Sequence, residues 1–498
     1  MTLKRLAGET AIYGLSHILP RILNFLVMTV YLTYRFKNPS DFGIFSELYA
    51  YATIILSLMV FRMDTAYFRF ATREGESGGG LVYETTFAIM AVISGLITLV
   101  MLVANQQIAN YLGYPQDAHY VSWFAWILAL DAFTTLVYAR FRLEGRPIRF
   151  LMFRVANVFF TIFFVLLFLE ILPRFFPGVI NSISSLTGIN KELDYVFVSN
   201  LLASLLVFVA MVPEMMKMKF AFNKDLAYKI VQYSWPLVII IVAGNINQNI
   251  AVPLQQFFLD GTLEEKRAVS GIFSAGAKLA ILLNLFTTAF NYAAEPFFFN
   301  QAAKDKKYEI NGVISKAFTL FSAFVILGTY FYIDIVLLMI GQNYRGGVAV
   351  VPVLLLSYLF LGLYYNFSIW YKLADKTIYG AYIAFGGVFI TLAVSWLLIP
   401  ATGMMGSAWA SLACFLFMAI SGYKLGQKHF PIAYPVKDLI KYSLLTAFLL
   451  FLAWEVRQYF DNMWMRMAIN TAFLASFIAY ILIFERPFIR QYIRKSKV

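Results

Sequence analysis

Apolar runs of about twenty residues, each closed by a short polar or charged stretch, recur along the whole chain. A helix rises 1.5 Å per residue and a bilayer core is about 30 Å thick, so about twenty mostly apolar residues can cross it. The pattern predicts fourteen such spans. The first six are Ala11–Tyr34, Phe42–Met63, Leu81–Asn105, His119–Ala139, Ile148–Leu172 and Leu193–Pro213. Six more follow at Ile230–Phe258, Val269–Ala293, Val313–Ile335, Val348–Trp370, Ile378–Ile399 and Met404–Tyr423. The last two are Leu439–Val456 and Met467–Phe484. The fold class is therefore an all-α polytopic membrane protein. Its longest outside connection, around Pro173–Glu192, is shorter than the ~50 residues of an independent domain, so any activity belongs to the helices.

The pattern also repeats. Gly-Ile-Phe-Ser occurs at Gly43–Ser46 and again at Gly271–Ser274, 228 residues later. Arg142–Thr161 aligns with Lys372–Thr391 at an offset of 230, and both segments lead from a basic loop into a helix ending Val-Phe-x-Thr. Spans one to six thus recur as spans seven to twelve. This divides the chain into an N-terminal half at residues 1–213, a C-terminal half at 214–424, and two additional helices with a basic tail at 425–498. A six-span half begins and ends on one side of the membrane, so the two copies insert in parallel. Their pseudo-two-fold axis runs along the membrane normal, with a central cavity at the repeat interface.

Composition agrees with this class. Apolar residues make up 61% of the chain and charged residues 13%, against roughly 45–50% and 25% in soluble domains. The net charge of +13 does not gather into one basic domain, so nucleic acid is not an expected partner. With the N-terminus placed inside, and with Arg62, Arg149, Lys316 and Lys441 at the inner span ends counted as inside, 28 of the 40 Lys and Arg fall on the inside, 9 in outside loops and 3 deeper within spans. That bias puts both termini in the cytoplasm. The lone Cys414 excludes an internal disulfide, and nothing resembles a zinc site. No cleavable signal peptide is read at the N-terminus. Gly75–Gly80 lacks the Lys-Ser/Thr of a phosphate-binding loop and reads as an inside linker, so neither an ATPase nor a cofactor is expected.

At this point the chain resembles a known family. Twelve spans in two parallel halves plus two more are similar to the multidrug/oligosaccharidyl-lipid/polysaccharide exporter superfamily, and within it to the bacterial polysaccharide-biosynthesis branch of Wzx-type O-antigen flippases. "NPSDFGIFS" (Asn38–Ser46) resembles that family's x-P-x-(E/D)-(Y/F)-G-x-(Y/F)-S at the start of span two. "SGIFSAGAKLA" (Ser270–Ala280) resembles its G-x-Y-S-x-x-x-K-(L/I)-A in span eight. The resemblance implies a flippase, not an enzyme, in the bacterial inner membrane. It would move an undecaprenyl-diphosphate-linked glycan, an O-antigen, capsule or exopolysaccharide precursor, between leaflets by alternating access, as a monomer among membrane lipids.

Ionisable residues inside spans mark candidate sites, because each costs about 2.5–3.5 kcal/mol to insert. Arg21 lies ten residues into span one, with His17 and Asn24 at i−4 and i+3 on the same face. Lys278 lies nine residues into span eight. The two cations suit a lipid diphosphate, Arg as a bidentate fork and Lys as a point charge; alternatively they pair internally, for instance with Asp131. The resemblance to lipid II flippases, with cavity cations in spans one and eight, supports the first reading. In "GNINQNI" of span seven, Asn245, Gln248 and Asn249 share a face and either bind sugar hydroxyls or join helices, with Pro236 and Pro253 flanking them as kink positions. Asp131, mid-span in span four, either pairs with a cation or couples transport to a proton or sodium ion. Arg154 is expected to snorkel to the inner interface, and Glu170, Asp334 and Glu455 to sit solvated at outer helix ends.

Other classes fit less well. A membrane polymerase or acyltransferase should carry an embedded catalytic His or a large outside loop, and neither is read. An ion-coupled multidrug exporter shares the architecture but favours acidic residues for cationic drugs. The tail "ERPFIRQYIRKSKV" spaces Arg486, Arg490 and Arg494 at i, i+4 and i+8, which reads either as a helix on the inner leaflet or as a frayed terminus.

Overall fold

The computed structural model describes residues 19–20, 22–216, 221–302, 309–374 and 376–487, and holds no strand among them. Its principal helices in chain order are α1 Ile22–Arg35, α2 Pro39–Thr72, α3 Gly79–Val103, α4 Asn105–Tyr111, α5 His119–Leu143, α6 Pro147–Phe175, α7 Pro177–Thr187 and α8 Glu192–Met215. Then come α9 Lys224–Asn249, α10 Ala251–Phe258, α11 Leu263–Ala302, α12 Asn311–Phe331, α13 Gln342–Leu373, α14 Ile378–Thr402, α15 Met404–His429, α16 Val436–Tyr459 and α17 Met463–Phe484. Twelve of these are long and apolar enough to cross a membrane. The expected first span corresponds to α1, and the expected eighth lies within α11. The chain is a multi-pass helical membrane protein.

Local chemistry explains the helix ends. Asn38 caps α2 by accepting from the Ser40 N–H at 3.0 Å, with Pro39 at the first helical position and Asp41 in the first turn. Thr262 and Glu265 form a reciprocal box before α11: Thr262 N–H donates to Glu265 Oε2 at 2.8 Å, and Glu265 N–H donates to Thr262 Oγ1 at 3.4 Å. The expected seventh span is not one helix. It divides at Ile250 into α9 and α10, because Pro253 has no N–H to bond the Asn249 carbonyl four residues back. Pro236, in contrast, is carried inside α9.

Span two holds a sharper irregularity. Phe61 and Arg62 adopt φ of 49° and 55°, the left-handed region that bulky residues avoid. The Ser94 hydroxyl donates to the Met59 carbonyl at 3.1 Å just before this break. Beyond it the chain doubles back into α3, bringing the Tyr67 and Tyr83 rings to 5.3 Å. Met63, Ala66 and Tyr67 of α2, Val82 and Tyr83 of α3, Leu136 of α5 and Ile230 of α9 then share one buried core.

The described residues form two compact units. One comprises those within Met1–Ser274 and Lys376–Cys414, the other those within Ala275–Asp375 and Phe415–Val498. In the second, α12 packs against α13 and α16, and two charge clusters fasten the last two helices to it. At one end Lys316 pairs with Asp438 at 2.6 Å and Glu485 at 2.7 Å, and the Tyr442 hydroxyl donates to Glu485. At the other, Asp334 accepts from Arg457 Nη1 at 2.7 Å and from Arg466 Nε and Nη2 at 2.9 and 3.0 Å. Asp334 is therefore not a solvated carboxylate: its side chain is 9% exposed and bound to two guanidinium groups. Glu170 also has a partner, the Tyr31 hydroxyl at 2.7 Å. Exposed apolar side chains such as Phe389 and Trp396 of α14 and Ile483 of α17 face outward, where lipid tails take the place of a protein core.

The Asp334 cluster yields a stability prediction. Asp334→Ala leaves two guanidinium groups without a counter-ion and should destabilise the protein by about 3 kcal/mol, whereas Arg457→Ala, which leaves the Arg466 fork in place, should cost about 1 kcal/mol. Thermal unfolding in detergent micelles measures both. Equal shifts in Tm would mean that the cluster does not hold the appended helices.

Candidate functional site

The repeated Gly-Ile-Phe-Ser segments meet in space. A Cβ on Gly43 would lie 2.0 Å from the Arg267 carbonyl oxygen, and one on Gly271 would lie 2.0 Å from the Pro39 carbonyl oxygen. Each glycine therefore admits the carbonyl four residues before the other glycine. Backbones approach this closely only where neither residue carries a side chain, which is how small residues bring membrane helices together. The contact is reciprocal, as a pseudo-two-fold relation between α2 and α11 requires. A similar pair lies 230 residues apart: Tyr114, in the α4–α5 loop, is 2% exposed, and Tyr344, at the start of α13, is 0% exposed.

One turn beyond Gly43 the symmetry ends. Glu47, Tyr114 and Arg267 are all buried. The Tyr114 hydroxyl donates to Glu47, and the Arg267 guanidinium lies 3.9 Å from the centre of the Tyr114 ring. Arg267 Nη2 also donates to the Leu112 and Gly113 carbonyls at 3.3 and 3.0 Å. Burial pushes the Tyr114 phenol well above its ordinary pKa, so it remains a proton donor to Glu47. Asn38 Nδ2 donates to Glu264 Oε1 at 3.0 Å at the rim of the same crossing. An acid on α2 and a base on α11 thus join elements that the sequence places in different halves.

Further along α5 and α8 runs a series of polar contacts. Tyr120 donates to Asp194 at 2.7 Å, Asn200 Nδ2 donates to the Tyr49 hydroxyl, and Ser204 Oγ donates to Asp131 Oδ1 at 2.9 Å. Arg154 completes the series with its guanidinium 4.3 Å from the Tyr138 ring centre. This cation–π contact gives the partly buried arginine a partner on α5.

The remaining sequence candidates fall as follows. His17 and Arg21 lie outside the described residues, and Asn24 is exposed on α1. Lys278 is partly buried in α11 and forms no ion pair or hydrogen bond among the described residues of its unit. Asn245 Nδ2 donates to Ser57 Oγ at 2.6 Å, and Asn249 Nδ2 to the Asn245 carbonyl at 3.0 Å, so both amides are engaged within the protein. Gln248 is exposed. Asp131 is held by Ser204 rather than by a salt bridge. No cluster of metal-ligating side chains occurs among the described residues.

Several polar residues escaped the sequence reading. Glu47 directly follows the Gly43–Ser46 repeat, and a carboxylate at that point of an apolar span is its signal. Asn247 lies between the amides chosen at i, i+3 and i+4; it is buried and donates to the Ala384 carbonyl at 3.0 Å. Gln255 donates to Ser407 at 2.9 Å and accepts from Ser270 at 2.9 Å, joining α10, α11 and α15. Arg267 reads from sequence only as a loop charge.

The glycine crossing is testable. Inserting a methyl group at either glycine forces the helices apart, and overpacking of this kind costs about 1–3 kcal/mol. With Cys414 replaced by Ala, a disulfide between Asn38→Cys and Glu264→Cys reports the approach of α2 and α11. Gly43→Ala and Gly271→Ala should each lower its yield by about tenfold. Unchanged cross-linking in both variants would refute the close contact.

No protein-family profile and no curated protein matches the chain. Solved structures do. "Lipid II flippase MurJ, inward closed conformation" aligns with a TM-score of 0.70 at 13% identity, covering 96% of this chain and all of that one. An inward-facing multidrug resistance MATE family transporter of the MOP superfamily aligns at 0.60 and 12% identity, over 87% of this chain and 96% of that one. The Vibrio cholerae MATE transporter VcmN in its bent form aligns at 0.56 and 14% identity, over 89% and 98%. Over nearly its whole length, the chain has the fold that MurJ shares with MATE transporters.

Proposed function

We propose that the protein is a flippase that moves a polyprenyl-diphosphate-linked oligosaccharide across the bacterial inner membrane, in the manner of Wzx-type flippases. The observation that carries this reading is Lys278, a cation well inside a predicted membrane span with no counter-ion among the described residues of its unit. Unpaired charge at that depth costs about 2.5–3.5 kcal/mol, and an anionic ligand offsets that cost. Lys278 and Arg21 would hold the diphosphate, while His17, Asn24 and Gln248 bond sugar hydroxyls and the prenyl tail stays in lipid. Asn245 and Asn249, whose amide nitrogens bond Ser57 and the Asn245 carbonyl, would offer their amide oxygens to the same sugar. Alternating access of the two halves would open and close the α2–α11 crossing, with both termini cytoplasmic. The fold shared with MurJ over 96% of the chain supports a lipid-linked substrate. Asp131, held by an uncharged serine, is free to take part in proton or sodium coupling.

The MATE likeness favours a second reading, an ion-coupled exporter of small molecules, and one assay separates the two. In proteoliposomes, Lys278→Gln should lower flipping of a diphosphate-linked glycan at least tenfold, with Lys278→Arg retaining most activity. Full transport by the glutamine variant, or transport of cationic drugs in place of the glycan, would remove the proposed assignment. Asp131→Asn should abolish any stimulation of flipping by an imposed proton gradient; stimulation that persists would exclude Asp131 from coupling.

A further inference from the structure

The helix α7 has no protein reason to be helical. Its sequence, Pro177 to Thr187, holds three serines, a threonine, an asparagine, a glycine and three β-branched apolar residues, with Leu186 as its one strong helix former. Eleven residues of this composition are too few to hold a helix in water. None of its side chains is buried, so no core supplies the missing stabilisation. Even so, Val179, Ile180, Ile183 and Leu186 fall along one stripe, with Asn181 and Ser185 opposite.

Three further features point to what covers that stripe. The stripe continues an apolar surface already exposed at the end of α6, where Ile171, Phe175 and Phe176 are 37%, 65% and 56% exposed and face lipid. Three of the four hydroxyls of α7 are turned back on its own backbone, Ser182 donating to Gly178 O at 2.8 Å, Ser185 to Ser182 O at 3.0 Å and Thr187 to Ile183 O at 2.6 Å, and the fourth, Ser184, donates to the Asn190 side chain. Such self-satisfaction suits a water-poor environment. Both ends are also tethered at membrane level. Pro177 continues directly from α6, and Gly188, at φ +72°, turns the chain into α8, where Lys191 pairs with Asp117 at 2.6 Å.

We propose that α7 lies in the lipid headgroup region of the membrane face that carries the α3–α5 connection, with Val179, Ile183 and Leu186 dipped into the acyl boundary. The segment Pro177–Thr187 carries no charge, so it binds by apolar partition alone and does not select anionic lipid.

The experiment uses the full chain in nanodiscs, where reagent reaches both faces. The native Cys414 is buried, and its replacement by Ala leaves one introduced thiol at a time. Leu186→Cys should react with a membrane-impermeant maleimide at least tenfold more slowly than Asn181→Cys. That ratio should agree within twofold between phosphatidylcholine and phosphatidylglycerol discs. A spin label at position 186 should respond to oxygen and not to an aqueous nickel chelate. Equal, fast reaction at both positions would overturn the assignment by placing α7 in water. Slow reaction at both would overturn it in favour of a covering protein, and protection found only in phosphatidylglycerol would overturn the uncharged mode of binding.

Discussion

A charge inside a bilayer must be compensated, and this one constraint organises much of the molecule. Glu47 is bonded by Tyr114 beside Arg267. Asp131 accepts from Ser204, Arg154 stacks on Tyr138, Asp334 is forked by two arginines, and Lys316 has two carboxylates. Most of these contacts join segments that are distant in sequence, so the same charges that would resist insertion alone also help define which elements neighbour which. Against this pattern Lys278 stands out, since the described residues of its unit supply no partner. Under the proposed function, a substrate that brings its own negative charge would supply the missing partner.

The second organising feature is the glycine crossing of α2 and α11. Two helices that begin alike cross where both chains have glycine, and each opens space for the other's carbonyl. A contact made of backbone and small residues buries little and orders few rotamers, so it can separate and re-form at low cost. The Glu47–Tyr114–Arg267 cluster beside it breaks the symmetry and adds a charged contact at the same place: the residue 228 positions after Glu47 is Ala275, which cannot accept such a bond. A crossing that combines close backbone approach with one polar latch is suited to the alternating access proposed here.

Much of the fold was legible in the sequence, because span length and apolar periodicity respond to one physical quantity, the bilayer thickness. Among the described residues, twelve of the fourteen spans return as long apolar helices, and the glycine repeat marks a point where α2 and α11 touch. What could not be read depends on which residues meet across the fold. The division of span seven at Ile250 had its signal in Pro253, but apolar continuity masked it. Asp334 looked solvated because its partners Arg457 and Arg466 lie more than 120 residues away. Asn247 was passed over because helical spacing selects a face without saying which face is buried. The candidate site is divided in the same way: Lys278 and Asp131 were visible as isolated charges in apolar runs, whereas Glu47 and Arg267 gain meaning only once α2 and α11 are brought together.

The central claim is that Lys278 awaits an anionic lipid headgroup. Equilibrium binding in nanodiscs tests it most directly, by comparing a polyprenyl-diphosphate-linked sugar with the uncharged polyprenol. The account predicts that the wild-type chain prefers the diphosphate at least tenfold and that Lys278→Met abolishes the preference while leaving the affinity for the polyprenol unchanged. A preference for the diphosphate that survives in Lys278→Met would contradict it.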